Sequence, residues 1–403
     1  MSGVVIIGAG HGGSQLAVSL RAEGFAGPVT LIDAGADLPY HKPPLSKTFL
    51  KSSDAVPQML RATSAYDEAG VTRLTGTVTA IDKAARTVTL DGRAVPYDDL
   101  VLATGARNRM LPGLASAVNV HTLRDLADAS RMRGALPDAQ RVLVVGGGFI
   151  GLETAAALAG MGRQVTVLEA APRVLARVAA PETSQRVEAT LRGLGIDLRT
   201  GWQGKGWRHQ GDRVIEALGP DGEIPCDLIL VGIGAEAETA LARAAGIACN
   251  LGILTDGRLA TSAPHVWALG DVAETPHWQA DGACLRLESV QNATDQARHL
   301  ARTLAKGEAA EFRTVPWFWS DIGALKLQIA GLSDRANRRL VRADDARLAV
   351  FHFRDGVLVA VETLNSPADH MLARQVLEAG RTPPDEVLMQ GAAAIKAWVA
   401  AVA

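Results

Sequence analysis

The chain has 403 residues, of which 48% are hydrophobic and 41 are glycine, and its formal charge is -2. That is enough apolar chain for two or three domains with cores of their own, and too little net charge to imply nucleic acid or an anionic membrane as a partner. Cys226, Cys249 and Cys284 are the only cysteines and form no CxxC, which excludes a disulfide framework and any cysteine-held metal or iron–sulfur centre; all three are expected to be small buried apolar residues. The N-terminus enters an apolar run without the charged region or cleavage site of a secretion signal. The richest apolar stretch, residues 142 to 162, carries Glu153 and several glycines, against a membrane span. Cytoplasm is the expected location.

The first element is VVIIGAGHGGSQLAVSLRAEGFAGPVTLIDA from Val4, and it is repeated as VLVVGGGFIGLETAAALAGMGRQVTVLEA from Val142. Each reads as apolar strand, GxGxxG turn, helix, second strand and terminal acid, which is a dinucleotide-binding βαβ unit. The first glycine makes the tight turn, the second lets backbone N–H groups approach a pyrophosphate, and the third lets helix pack on strand. Gly8, Gly10, Gly13 and Asp33 form one set, and Gly146, Gly148, Gly151 and Glu169 the other. A carboxylate accepts both ribose hydroxyls but repels a 2′-phosphate, so Glu169, with no arginine directly after it, argues for NADH over NADPH.

Between and after the repeats come three further signals. PYHKPPLSK, residues 39 to 47, contains three prolines that fix the backbone and should hold Lys47 with little freedom. YDDLVLATGA, residues 97 to 106, and HVWALGDVA, residues 265 to 273, each read as a strand ending in a small-residue turn or an aspartate. From about residue 320 the texture changes to alternating strands with a DG turn at Asp355 and Gly356, then short helices: an antiparallel sheet in an α+β domain. Strict alternation sends Trp317 and Trp319 to one face and Phe318, read as core, to the other.

This order of segments resembles a two-dinucleotide flavoprotein, and the set PPLSK, LATGARNRML, GGGFIGLE, ALGDVA, LESVQNATDQAR and WFWSD closely resembles the FAD- and NADH-dependent ferredoxin reductases of bacterial oxygenase systems, over essentially the whole chain. The resemblance implies an α/β fold of two Rossmann-like domains plus the C-terminal α+β domain covering the flavin. FAD would occupy residues 1 to 112 and 242 to 319, NADH residues 113 to 241, with residues 320 to 403 following. It implies FAD contacts at Gly8, Gly10, Gly12, Gly13, Asp33, Lys42, Val78, Thr104, Gly105, Arg124, Asp271 and Val290. Glu288 matches a residue reaching the nicotinamide amide, and Gly146, Gly148, Gly151, Glu169 and Gly234 complete the cofactor set. Lys47 is implied beside flavin N5, paired with Glu153, and Trp319 against the nicotinamide. Ile322 departs from the glutamine that relatives often carry after WSD.

A cation near a reduced flavin, which is anionic at N1, lowers its energy, and Glu153 can compensate that cation and rearrange with redox state. Residues 39 to 53 hold no cysteine, where disulfide reductases and NADH peroxidases of this superfamily carry one or two. Electrons must therefore leave FAD for an external acceptor, which the resemblance makes a [2Fe-2S] ferredoxin with an acidic face. Arg298 with Arg302, and Arg335, Arg338, Arg339 and Arg342, are the expected basic docking stretches. Two other readings stand beside this one: a direct oxidase or quinone reductase, and a redox-sensing or cell-death flavoprotein. Neither nucleic acid nor membrane is expected as a partner.

Overall fold

Val4–Ile7 (β1) is buried at every position, as a strand covered on both faces must be, and the helix His11–Ala22 (α1) returns the chain to the parallel strand Val29–Asp33 (β2). These elements come from a computed structural model that describes residues 3–35, 37–52 and 54–402, so the expected domain limits at residues 1 and 403 lie outside the described residues. The chain divides into two compact units, one of Met1–His41, Gln58–Arg107 and Glu236–Pro316, the other of Lys42–Pro57, Asn108–Ala235 and Trp317–Ala403. The PPLSK segment belongs to the second.

In the first unit, five parallel strands run in the order Val266–Ala268, Asp99–Leu102, β1, β2, Val71–Thr75. The long amphipathic helix Val290–Lys306 packs beside α1 over one face, burying Leu16, Leu20, Ala297 and Leu300 with Ile6 and Leu31. The antiparallel strands Val78–Asp82, Thr87–Leu90 and Arg93–Pro96 supply Val88 and Leu90 to the core of the other face. Each such fully buried side chain contributes roughly 1.5–3 kcal/mol.

The second unit repeats the motif with Arg141–Val145 (β3), Phe149–Gly160 (α2) and Gln164–Glu169 (β4), followed by the helix Pro181–Gly193 (α3). Its parallel sheet has the order Asp197–Thr200, β4, β3, Leu228–Val231, Val120–His121. The C-terminal part is an antiparallel sheet of Trp317–Ile322 (β5), Leu325–Gly331 (β6), Arg338–Ala343 (β7), Leu348–Arg354 (β8) and Val357–Leu364 (β9), ordered β5-β6-β9-β8-β7. Asp355 and Gly356 turn β8 into β9 with φ of 52° and 84°, the doubly left-handed turn that an Asp-Gly pair favours. The helices Pro367–Glu378 (α4), Asp385–Gln390 and Ala392–Val402 follow.

Two contacts seat this sheet on the nucleotide-type fold of the same unit. Phe318 meets Phe149 edge to face at 4.5 Å between centroids. Glu362, wholly buried, accepts the Ala180 N–H at the start of α3 (2.8 and 3.0 Å) and pairs with His352 at 2.8 Å. A buried carboxylate at a helix N-terminus satisfies donors that would otherwise be orphaned. The first fixes β5, an edge strand, against α2, and the second ties β9 to the start of α3.

Candidate functional site

In the first unit the glycine turn is built by exclusion. Gly8 sits at φ 102°, and a Cβ there would lie 2.3 Å from the Ala103 carbonyl oxygen; one on Gly13 would lie 1.9 Å from the Gly8 oxygen. Gly10 differs: it caps α1 with no side-chain hydrogen bond and faces open space, with no atom within 4 Å of a built Cβ. The start of α1 thus carries backbone N–H donors beside a glycine with room in front of it, which fits the pyrophosphate the sequence predicts. Gly12 packs against Leu269 and Ala293. Asp33 ends β2 and accepts the Ala9 N–H at 3.4 Å.

The other expected residues of this unit lie around the same sheet. Thr104 and Gly105 follow the strand Asp99–Leu102, the Thr104 hydroxyl donating to the Glu238 carbonyl at 2.8 Å. Asp271 lies in the short 3-10 turn Gly270–Val272, its carbonyl taken by Arg286, and Glu288 pairs with that same Arg286 at 2.5 Å. Val290 opens the helix capped by Ser289, and Val78 opens a strand of the antiparallel sheet. Near them a small cavity is lined by Thr275, His277, Asn292 and Gln296. Burial pushes the His277 imidazole down to about 4.

The second unit has the same turn, with Gly146 at φ 111° and a Cβ on Gly151 calculated 2.4 Å from the Gly146 oxygen, while Gly148 caps α2 without a side-chain hydrogen bond and its nearest neighbour is 3.9 Å away. Here the terminal acid is held tightly. Glu169 accepts the Gly147 N–H through Oε2 and the Ala171 N–H through Oε1, both at 2.6 Å. Each carboxylate oxygen keeps acceptor capacity beyond these bonds. Gly234, at φ 101°, follows the strand Leu228–Val231 with the Arg177 guanidinium 3.7 Å from its calculated Cβ position. Arg124 donates its backbone N–H to the buried Asp128, and Lys42 starts the proline turn.

That turn carries a cluster of polar side chains. Pro43–Ser46 forms a 3-10 helix, the Lys47 N–H bonds back to the Pro44 carbonyl at 3.1 Å, and Thr48–Lys51 continues as a helical turn. Lys47 Nζ lies 3.2 Å from Glu153 Oε1 and 3.0 Å from Asp321 Oδ2. Glu153, on the buried face of α2, also accepts the Ser46 hydroxyl on Oε2 and the Ser320 hydroxyl on Oε1, both at 2.7 Å, and the Asp321 N–H at 3.1 Å. The sequence placed Lys47 with Glu153 but passed over Ser46, Ser320 and Asp321. Their signal was adjacency: each sits inside a quoted motif, PPLSK or WFWSD, beside a residue already named.

Strand period 2 separates the aromatics as expected. Trp317 and Trp319 lie 5.7 Å apart between centroids on one face, and Phe318 turns to Phe149 on the other, sharing its face with the wholly buried Ile322. Trp319 is 37% exposed; Trp317 is backed by the Arg374 guanidinium at 4.4 Å and the His370 ring. Burial, with Arg374 beside it, pushes His370 down to about 4.

The expected docking arginines are not bare cations. Arg298 pairs with Asp295, Arg302 with Glu308, Arg338 with Asp385 while stacking on Phe353, Arg339 with Glu182, and Arg342 with Asp369. Asp295 and Glu308 come from the same stretch of chain as their arginines, whereas Asp385, Glu182 and Asp369 come from other elements.

Residues 2–297 match the family described as pyridine nucleotide-disulphide oxidoreductase, and residues 317–399 the reductase C-terminal family. The chain belongs to the pyridine nucleotide-disulphide oxidoreductase family. It is 39% identical to the ferredoxin–NAD(P)(+) reductase of a Sphingomonas species, covering 93% of this chain and 92% of that protein. To putidaredoxin reductase of Pseudomonas putida it is 40% identical, covering 93% and 91%. The solved covalent putidaredoxin reductase–putidaredoxin complex is similar at a TM-score of 0.92 and 37% identity, covering 99% of this chain and 98% of that one.

As a member of this oxidoreductase family the chain depends on FAD and a nicotinamide dinucleotide. The disulphide of the family's name has no counterpart among its three free cysteines. Burial pushes the Cys226 thiol up to about 11 and raises that of Cys249, which leaves little thiolate for chemistry. The expectation that all three are buried needs correcting: Cys249 is half-buried and Cys284 exposed, the latter because its two-residue strand lies at the outer side of a small sheet.

Proposed function

We propose that this chain takes hydride from NADH onto FAD and passes single electrons to a [2Fe-2S] ferredoxin serving an oxygenase. The observation that carries the reading is the Lys47–Glu153 pair, built into a proline-braced turn with no cysteine in residues 39 to 53. FAD, when bound, accepts two electrons as hydride and releases them one at a time. The residues assigned to it are Gly8, Gly10, Gly12, Gly13, Asp33, Lys42, Val78, Thr104, Gly105, Arg124, Asp271 and Val290. NADH is assigned to Gly146, Gly148, Gly151, Glu169 and Gly234, with Glu288 and Trp319 for the nicotinamide.

In this reading each part of the chain has a task. The α1 and α2 N-termini bind pyrophosphates through backbone donors, and Glu169 selects an unphosphorylated ribose. Lys47 supplies the cation at the flavin, and the donors around Glu153 fix the carboxylate that faces it. Trp319 offers an apolar ring to the nicotinamide face. The domain limits proposed are 1–112 with 242–319 for FAD, 113–241 for NADH and 320–403 for the covering domain.

Among the described residues no helix is long and apolar enough to cross a membrane. The cytoplasm, where NADH is available as reductant, is the proposed location. An acidic ferredoxin would meet exposed Arg298 and Arg302 only in competition with Asp295 and Glu308. The test is NADH-dependent reduction of a panel of [2Fe-2S] ferredoxins by the FAD-loaded protein. Saturable reduction of at least one is expected; oxygen or quinone accepting all the electrons, with every ferredoxin left oxidised, overturns the reading.

A further inference from the structure

We propose that Asp321 is a positioning residue for Lys47, forming with Glu153 a pair of seats between which the ammonium is divided. This rests on the reading that Lys47 acts at the flavin. Glu153 is the fixed seat. Its carboxylate is 8% exposed and takes the Ser46 hydroxyl, the Ser320 hydroxyl and the Asp321 N–H in addition to Lys47, so three hydrogen bonds hold it even when the ammonium leaves. These three donors engage both carboxylate oxygens of Glu153 independently of Lys47.

Asp321 is the loose seat. Its side chain is 41% exposed, and Lys47, at 3.0 Å, is the hydrogen-bond partner of its carboxylate among the described residues. Because β5 is an edge strand, the Asp321 N–H is available to Glu153 while the side chain goes to the other face of the sheet. The same residue therefore pins Glu153 with its backbone and draws Lys47 outward with its side chain. An ammonium has three N–H donors and serves both carboxylates at once. One cation between two anions leaves a net charge of -1, and the outer anion is the one water can take over.

With the Asp321 carboxylate removed, the ammonium is no longer shared with an outer anion, and more of its charge is left to favour flavin reduction. The experiment is the flavin midpoint potential of the full-length FAD-loaded protein, at low ionic strength, in Asp321→Asn, Asp321→Glu, Lys47→Met and the double variant. Asp321→Asn should shift the potential positive, Asp321→Glu should restore the parent value, and Lys47→Met should shift it negative. In the Lys47→Met background the effect of Asp321→Asn should shrink by a factor of about two or more, the signature of a residue acting through its neighbour. The proposal is overturned if Asp321→Asn gives no positive shift while Lys47→Met still gives a negative one, or if its shift is undiminished in the double variant. Were Lys47→Met itself without effect, the reading of Lys47 would fail and this inference with it.

Discussion

Set side by side, β1–α1–β2 and β3–α2–β4 share one backbone course and differ in what surrounds the helix. Aligning Gly8 with Gly146 places Gly12 opposite Ile150 and Gln15 opposite Glu153. In the first unit a Cβ on Gly12 would come within 2.4 Å of Leu269, because the unit's own long helix and GD turn crowd the start of α1. Ile150 is 43% exposed. Gln15 is neutral and held by Arg61 and Ser19, whereas Glu153 is charged and gathers Lys47 and two serines. The fingerprint thus specifies a dinucleotide turn, and the helix face two residues past its last glycine specifies what that turn is used for.

The largest effect that would sharpen this division lies within the fingerprint itself. Gly13→Ala forces a Cβ onto the Gly8 carbonyl and should cost about 2–3 kcal/mol, read as a lowered melting temperature. Gly10→Ala meets nothing within 4 Å, and as an N-cap change should cost under about 1 kcal/mol, yet it should reduce the FAD retained on purification. Equal destabilisation by both would erase the distinction between the packing glycine and the ligand glycine.

Next in size is the terminal acid. Glu169 is fixed by two backbone donors at 2.6 Å, so the second fold should discriminate the ribose sharply. Glu169→Ala removes hydrogen bonds from a charged acceptor, worth roughly 1.5–3 kcal/mol, and should narrow the NADH:NADPH ratio of kcat/KM by about tenfold or more. A parent enzyme that used both dinucleotides equally would break the assignment.

Much of this was legible because its physical cause is local. GxGxxG between an apolar strand and a helix leaves few backbone courses open, and it announced both dinucleotide folds. The period-2 pattern after residue 320 did the same for the antiparallel sheet and for the side taken by each tryptophan. What stayed hidden depends on contacts distant in sequence. Ser46, Ser320 and Asp321 meet Glu153 across 107, 167 and 168 residues, and no spacing rule connects them. The ion pairs of the arginine stretches were hidden for a related reason: Asp385 meets Arg338 and Asp369 meets Arg342 from elements that only the fold brings alongside.

The smallest predicted effects test the helix face directly, by exchanging the side chains at the aligned positions. Glu153→Gln keeps the shape and the acceptor oxygen but withdraws the charge that faces Lys47. Asp321 remains to hold the ammonium, so the loss should be about 1–2 kcal/mol, below the ~3–5 kcal/mol of breaking an isolated buried pair. Gln15→Glu in the first unit places a carboxylate against Arg61, which already donates to that side chain at 2.7 Å. A partly exposed pair of this kind is worth about 0.2–1 kcal/mol, so the change should be slight, with spectrum and FAD content retained. Urea denaturation of both variants reads the contrast. If Gln15→Glu were as disruptive as Glu153→Gln, the two helix faces would be equally specialised, and the division of labour drawn between the folds would not hold.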